Sequence, residues 1–444
     1  MQAVIVTIGN ELLSGDTVDT NSVFLAGELA ALGIPVVARY SVPDEAADIV
    51  WAVRRGLEVA DLVLTTGGLG PTRDDITLET IAAALGEELV VDPEQARRVR
   101  EIFSQRGLRM PLLNENQFLK MAGATIIYNP AGTAPGQLVK TNDGTVCLLP
   151  GVPVEVKELW RVELRKLVKG LLPTQRQRQK LTLRTAWMSE SIIAERLDNA
   201  GLTKQLDEAG IALAFLPHHG TVDLRLTRFL MDGQSGDDFA ILQREIEQTL
   251  GSCLFGYDSE TLGSVVGRQL TRLGLTLGTA ESCTGGLIGK RLTDAAGSSG
   301  FYLGGVIAYS NDVKMQGLGV PAEVLEQHGA VSRETAAAMA RGALEKLNCD
   351  IAISVTGIAG PSGGSDDKPV GTVYLGLAQR RESFASWSNS RGAALRELSR
   401  VEDHSQPDGD YVITRHLPLF GNRWLVRHRA AVAALDTLRL RLRD

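Results

Sequence analysis

Cysteine is scarce in this chain: 444 residues contain four, Cys147, Cys253, Cys283 and Cys349. None pair as C-x-x-C and none neighbour histidine at zinc-site spacing, which argues against a structural zinc. So few cysteines in so long a chain also argue against a disulfide framework. Positive charge is not in excess either. Lys and Arg total 46 against 53 Asp and Glu, a formal charge of −7. A general nucleic-acid coat would show a basic face, so no nucleic-acid partner is expected. Small anionic ligands need only local donors and stay open. No apolar run approaches the ~20 residues that span a bilayer. The start, "MQAVIVTIGNE", lacks a basic leader and a cleavage site. A soluble, cytoplasmic protein without a membrane partner is the expectation.

The composition is otherwise ordinary, with 44% hydrophobic and 22% charged residues. The length corresponds to about two to four domains. No short internal repeat is visible. In residues 1–172, buried-strand runs alternate with amphipathic helices. "AVIVTIG", "IPVVARYSV" and "DLVLTTGG" read as strands; "TNSVFLAGELAALG" and "DEAADIVWAVRRGLEVA", the latter capped by Asp44, read as helices. This rhythm predicts a parallel sheet with helices on its faces. "PTQRQRQK", from Pro173 to Lys180, reads as a linker into a small α+β unit ending near residue 257. From 258 to 444 the α/β alternation restarts, with a polar insertion expected near 385–418 and a closing helix from about Asn422. The fold class is therefore α/β and multidomain: two α/β sheet domains joined by a small α+β domain.

Ligands of such sheets sit beyond the carboxyl ends of the strands. "TIGNELLSGD", "SVPDE" and "TTGGLGPTRDD" fall at such ends and should converge. Gly67, Gly68 and Gly70 allow close backbone approach and an amide nest for phosphate oxygens. The stretch is neither a P-loop nor a G-x-G-x-x-G turn. Asp74 and Asp75 cannot bind phosphate directly, so a bridging divalent cation such as Mg²⁺ is expected, with Asp44 converging on it. The plainer reading makes Asp74 and Asp44 helix caps.

A second constellation is "AESCTGG". Ser282 follows a predicted strand and precedes a helix expected to start with Thr284, Gly285 and Gly286, whose amides would form an oxyanion pocket. "AYSNDVK" supplies Tyr309 and Lys314; a desolvated lysine can act as base in a Ser-Lys pair. Arg423 and Arg427 can clamp a phosphate. Three alternatives remain at this point: Ser282 as a helix cap, Lys314 as a surface lysine, and Cys283 as the nucleophile.

"TTGGLGPTRDDIT", with "GNELLSGDTVDTN", "NPAGTAPG" and "LPGVPVE", closely resembles the molybdopterin-binding fold as it occurs in the CinA (competence/damage-inducible protein A) family. The resemblance implies metal-dependent hydrolysis of ADP-ribose to AMP and ribose 5-phosphate. It places Asp75 and Asp44 at the metal, and Asn21, Thr66, Gly132, Thr133 and Gly151 at the substrate. The middle unit resembles that family's KH-like domain. Its G-x-x-G, Gly233 to Gly236, is flanked by Asp232, Asp237 and Asp238, so a packing role is expected. "AESCTGG", "AYSNDVK", "SVTGIAGPSGGSDDKPVGTVY" and "FGNRWLVR" resemble the nicotinamide-nucleotide amidase domain of the family. That implies deamidation of nicotinamide mononucleotide, with Ser282 as nucleophile and Lys314 as base. Tyr309, Arg423, Gly357 and Gly360 would then line the pocket, and no cofactor is expected. A homodimer is implied by the family alone. The competing class is a nucleotide-binding regulatory or scaffolding protein, or a chain with one active domain.

Overall fold

The computed structural model describes residues 1–172, 176–231, 236–381, 400–405 and 409–443. Contacts divide the chain into two units, 1–179 with 229–235, and 180–228 with 236–444.

The first unit is built on a six-stranded sheet. Its order is Val36–Val42, Ala3–Ile8, Leu62–Thr66, Thr145–Leu149, Gly136–Lys140, Thr125–Ile127. The first four run parallel, and the last two alternate in direction. The apolar run of the first strand follows from burial on both faces. Val4, Val6 and Ile8 pack into one core, and Ala3 and Ile5 into another. Successive side chains point to opposite faces, so one strand serves two cores. Each fully buried Val or Ile contributes roughly 1.5–3 kcal/mol. The parallel strands therefore end together, placing Gly9, Asp44, Gly67–Gly70 and Gly151 beyond one edge of the sheet.

The second unit carries most of a four-stranded sheet and a second six-stranded sheet. The smaller sheet runs Ala212–Pro217, Thr221–Met231, Arg176–Ala186, Leu254–Tyr257. Leu183, Leu197, Leu224 and Ile246 centre its own core. The segment expected as a linker is corrected from Arg176 onward, where the strand Arg176–Ala186 begins. The G-x-x-G expectation lies largely outside the described residues. Asp238 beside it pairs with Arg228 at 2.7 Å.

The larger sheet runs Tyr302–Ile307, Leu277–Glu281, Ile351–Gly357, Thr372–Gln379, Tyr411–Pro418, Val401–Asp403. Its first three strands are parallel, and the next ones antiparallel. The expected insertion is corrected at its end: Tyr411–Pro418 is an inner strand of the sheet, paired with Thr372–Gln379 along its whole length. Residues 382–399 and 406–408 of that segment lie outside the described residues. The last helix, Arg423–Leu442, is capped by Asn422, whose side chain accepts from Leu425 N at 3.0 Å. Among the described residues no helix is long and apolar enough to cross a membrane.

Candidate functional site

Ser282 sits one residue past the strand Leu277–Glu281. The chain does not enter a helix there. It turns through Gly285 and Gly286, at φ +59° and +90°, and the helix starts at Leu287. Left-handed backbone at two successive residues favours glycine and cannot be helical. The expectation that helix amides face a ligand is corrected too. Ile288 N and Gly289 N donate to the buried Glu281 carboxylate at 3.1 and 2.8 Å. Glu281 was not singled out from sequence, since nothing local distinguishes it from any strand-end glutamate. Ser282 is not a helix cap, because Gly286 holds that position without a side-chain bond.

Lys314 lies on the helix Asn311–Leu318, which Ser310 caps through Val313 N. It is 2% exposed. Its Nζ donates to Ser282 Oγ at 3.3 Å, to Ala308 O at 2.9 Å and to Tyr309 O at 3.4 Å. No carboxylate hydrogen-bonds to it among the described residues. Burial therefore pulls its proton affinity below the ordinary lysine value. The surface-lysine reading falls. Cys283 is buried as well, and desolvation pushes its thiol up to about 12, which removes it as a nucleophile near neutrality.

The remaining groups split between reach and support. Tyr309 is exposed, and its hydroxyl accepts from Arg423 Nη2 at 2.7 Å. Arg423 Nη1 donates to Gly360 O at 2.9 Å. Arg427 does not offer a phosphate fork. Its Nε donates to Cys283 O at 3.1 Å and its Nη2 to Thr284 O at 2.7 Å. It holds the turn that carries Ser282. Thr284 is fully buried, and its hydroxyl has no hydrogen-bond partner. Gly357 is needed for sheet packing: a Cβ there would lie 2.7 Å from Val373 Cγ2 and 2.9 Å from Thr372 O.

At the first unit's strand ends, Asp44 is not a cap. Its Oδ2 accepts from Asn10 N at 3.0 Å, and the following helix begins at Ala46 without a side-chain cap. Burial raises its proton affinity; the Asn10 bond lowers it, and the charges of Glu11, Asp74 and Asp75 raise it further. Asp74 and Asp75 both accept from the Thr72 hydroxyl at 2.5 Å, and Asp75 also from Thr72 N at 2.8 Å. The next helix starts at Thr77 without a side-chain cap, so Asp74 is no cap either.

The glycines serve the chain itself. A Cβ at Gly67 would strike the Ile8 carbonyl, at Gly68 the Thr77 hydroxyl and at Gly70 the Asp75 carboxylate. Gly67 N is taken by Leu149 O at 3.1 Å, so an amide nest aimed at one point is corrected for that residue. Asn21 Nδ2 bonds Thr66 Oγ1 at 2.9 Å and Gly151 O at 2.7 Å, tying neighbouring strand ends together. Thr133 O accepts from Gln95 Nε2 at 2.8 Å, and Gly132 N donates to Asn129 Oδ1 at 3.1 Å. A pocket beside them is lined by Gly68, Gly70, Asp75, Asn116, Gln117 and Gln137. The three amide side chains were missed; the polar run "NENQ" was the available signal for Asn116 and Gln117, and nothing local marked Gln137.

No three His, Cys, Asp or Glu among the described residues stand close enough to hold a metal ion by themselves. The donor chemistry nevertheless suits Mg²⁺. That ion is commonly held by one or two carboxylates plus substrate phosphates, and the field on Asp44 from Glu11, Asp74 and Asp75 favours a cation.

Residues 4–170 match the probable molybdopterin binding domain, and residues 259–400 match the CinA C-terminal domain. A CinA-like protein of Syntrophomonas wolfei is 38% identical over 100% of this chain and 99% of its own. A CinA-like protein of Gemmatimonas aurantiaca is 39% identical over 99% of this chain and 96% of its own. The crystal structure of a CinA protein of unknown function from Thermoplasma acidophilum is 35% identical, covering 37% of this chain and 97% of that one, with a TM-score of 0.35.

Proposed function

This chain belongs to the CinA family, and on that premise we propose that it is a bifunctional nucleotide hydrolase of pyridine-nucleotide salvage. In the second unit, Ser282 attacks the carboxamide carbon of nicotinamide mononucleotide. Neutral Lys314 takes the hydroxyl proton and passes it to the departing nitrogen, so ammonia leaves and an acyl-serine remains. Water, deprotonated by the same lysine, then releases nicotinate mononucleotide. Tyr309 and Arg423 sit at the exposed side, where the ribose phosphate would bind. The observation that carries this reading is the 3.3 Å hydrogen bond between Ser282 and a lysine that is 2% exposed. A binding module needs no such pair.

In the first unit the proposed reaction is hydrolysis of the ADP-ribose pyrophosphate bond to AMP and ribose 5-phosphate. Asp44 and Asp75 would hold a divalent ion together with phosphate oxygens, and Asp74 would add to the field. The ion would supply charge neutralisation on the phosphates. Asn116, which lines a small recess beside Asp75, would face the ligand there.

The test is direct. Intact protein incubated with nicotinamide mononucleotide should release ammonia. With ADP-ribose it should form AMP, and EDTA should stop that reaction alone. Asp75→Asn should lower ADP-ribose hydrolysis by about a hundredfold or more, since a metal-bridging carboxylate is lost, and leave ammonia release unchanged. If folded protein turns over neither compound, the scaffolding reading replaces this one.

A further inference from the structure

The second unit holds a cavity of about 510 Å³ that the proposed chemistry does not use. Ser282, Lys314, Tyr309 and Arg423 do not line it. Its polar wall includes Arg184, His219, Lys290, Arg291, Asp294 and His428. The volume suits a drug- or nucleotide-sized ligand.

The charges are unevenly satisfied. Arg184 is tied to Asp223 at 3.1 Å and to Glu260 O at 2.6 Å. Lys290 is tied to Asp294 at 2.7 Å. Arg291 is half-buried and makes no hydrogen bond or ion pair among the described residues. Burial lowers its proton affinity, and Asp294 is the one opposing charge that acts on it. A guanidinium stripped of water without an anion is costly. Its planar fork of donors matches phosphate.

Rings stand at the same wall. The His428 imidazole stacks on the Trp424 indole at 3.8 Å and 27°, and His219 meets that indole edge-on at 4.4 Å. His428 Nδ1 lies 2.8 Å from Trp424 O, which leaves Nε2 as its other polar atom. An anion-seeking guanidinium beside stacked rings is the pairing that recognises a phosphate joined to a planar base.

The walls are also the supports of the Ser282 turn. Lys290 and Arg291 lie on Leu287–Thr293, the helix directly after that turn. His428 follows Arg427, which grips Cys283 O and Thr284 O. We propose that this cavity is a second binding site, for a nucleoside monophosphate, whose occupancy is transmitted to the Ser282 turn through these two helices.

Calorimetric titration of the full chain with AMP and with inorganic phosphate tests the site. The titration omits nicotinamide mononucleotide, itself a nucleoside monophosphate that would compete for the cavity, and AMP bound at the Ser282 site is shared by every variant. AMP bound in the first unit contributes equally to every variant and cancels. Arg291→Gln should weaken one AMP-binding event about tenfold or more, with Arg291→Lys restoring part of it. His428→Leu should weaken AMP more than phosphate, and thermal melts check that each variant folds. AMP affinity indifferent to both substitutions in folded protein overturns the site. In the Ser282 protein at limiting nicotinamide mononucleotide, too little to fill the cavity, AMP should change the rate about twofold or more, and Arg291→Gln should abolish that change. A rate indifferent to AMP overturns the coupling. The rate readout rests on the amidase reading. The binding readout does not, so a chain that never releases ammonia still decides the site.

Discussion

Lys314→Met should abolish the proposed release of ammonia from nicotinamide mononucleotide, and at neutral pH the variant should melt above the parent. Both effects follow from one lysine buried without a carboxylate. Methionine keeps the length and fills the space, so the helix Asn311–Leu318 has no reason to move. What disappears is the acceptor for the Ser282 proton. Loss of a positioned base in such a unit costs about a thousandfold or more in kcat. The stability effect has a definite sign. Burial holds the folded-state pKa below the unfolded lysine value of 10.5. Between those two values the unfolded chain binds more protons than the folded one, so parent stability rises with pH through that window. It is fully recovered above the unfolded value and lost as pH falls through the folded one. At neutral pH the parent carries the penalty and the methionine variant does not. The activity profile reads the same group: the rate should climb with pH to a plateau, with a midpoint below 10.5. A Lys314→Met protein that keeps its rate and this rising limb would show that another group removes the proton. Ser282→Ala should match its loss of rate without its gain in stability.

The strands and the Ser189 and Ser332 helix caps were legible because their signals are local. Apolar runs mark strands buried on both faces, and Ser189 and Ser332 each cap the helix that follows. The Ser282–Lys314 pairing was legible because both lie just beyond adjacent parallel strands, whose ends topology brings together. Other features depend on partners remote in sequence. Arg427 looked like a phosphate ligand, and only the fold delivers it to carbonyls at Cys283 and Thr284. Gly67 looked like a ligand cradle, yet the neighbour that forbids a side chain there is the Ile8 carbonyl on another strand. Asp44 looked like a cap, and its partner is Asn10 N. The strand Tyr411–Pro418 was hidden by its own polar residues. Arg415 is 6% exposed there and donates to Thr437 Oγ1 at 3.1 Å, so a charge that reads as surface is in fact an internal tie.

Glu281→Gln should produce the largest loss of stability around the Ser282 site. The helix Leu287–Thr293 has seven residues, too few to persist on its own. Two of its early amides, Ile288 N and Gly289 N, are buried against the Glu281 carboxylate, one on each oxygen. A carboxylate there also opposes the positive end of the helix dipole. Glutamine is nearly isosteric but offers one acceptor. Its amide nitrogen would face a backbone N–H, so one charge-assisted bond is lost and one buried donor is left against another donor. The cost is on the order of 3 kcal/mol. Ser282 is the next residue, and the turn behind it would lose one of its anchors, keeping Arg427 and the Ser282 N to Val355 O bond. The kcat of the proposed amidase should therefore fall by roughly tenfold to a hundredfold, because a nucleophile held loosely spends less time in line with its substrate. KM should change less, since Tyr309 and Arg423 are on other elements. ADP-ribose hydrolysis should not change. Thermal melting and steady-state kinetics on the same preparation decide the matter: a Glu281→Gln protein with parental melting temperature and parental kcat would mean that the carboxylate neither anchors the helix nor sets the position of the serine.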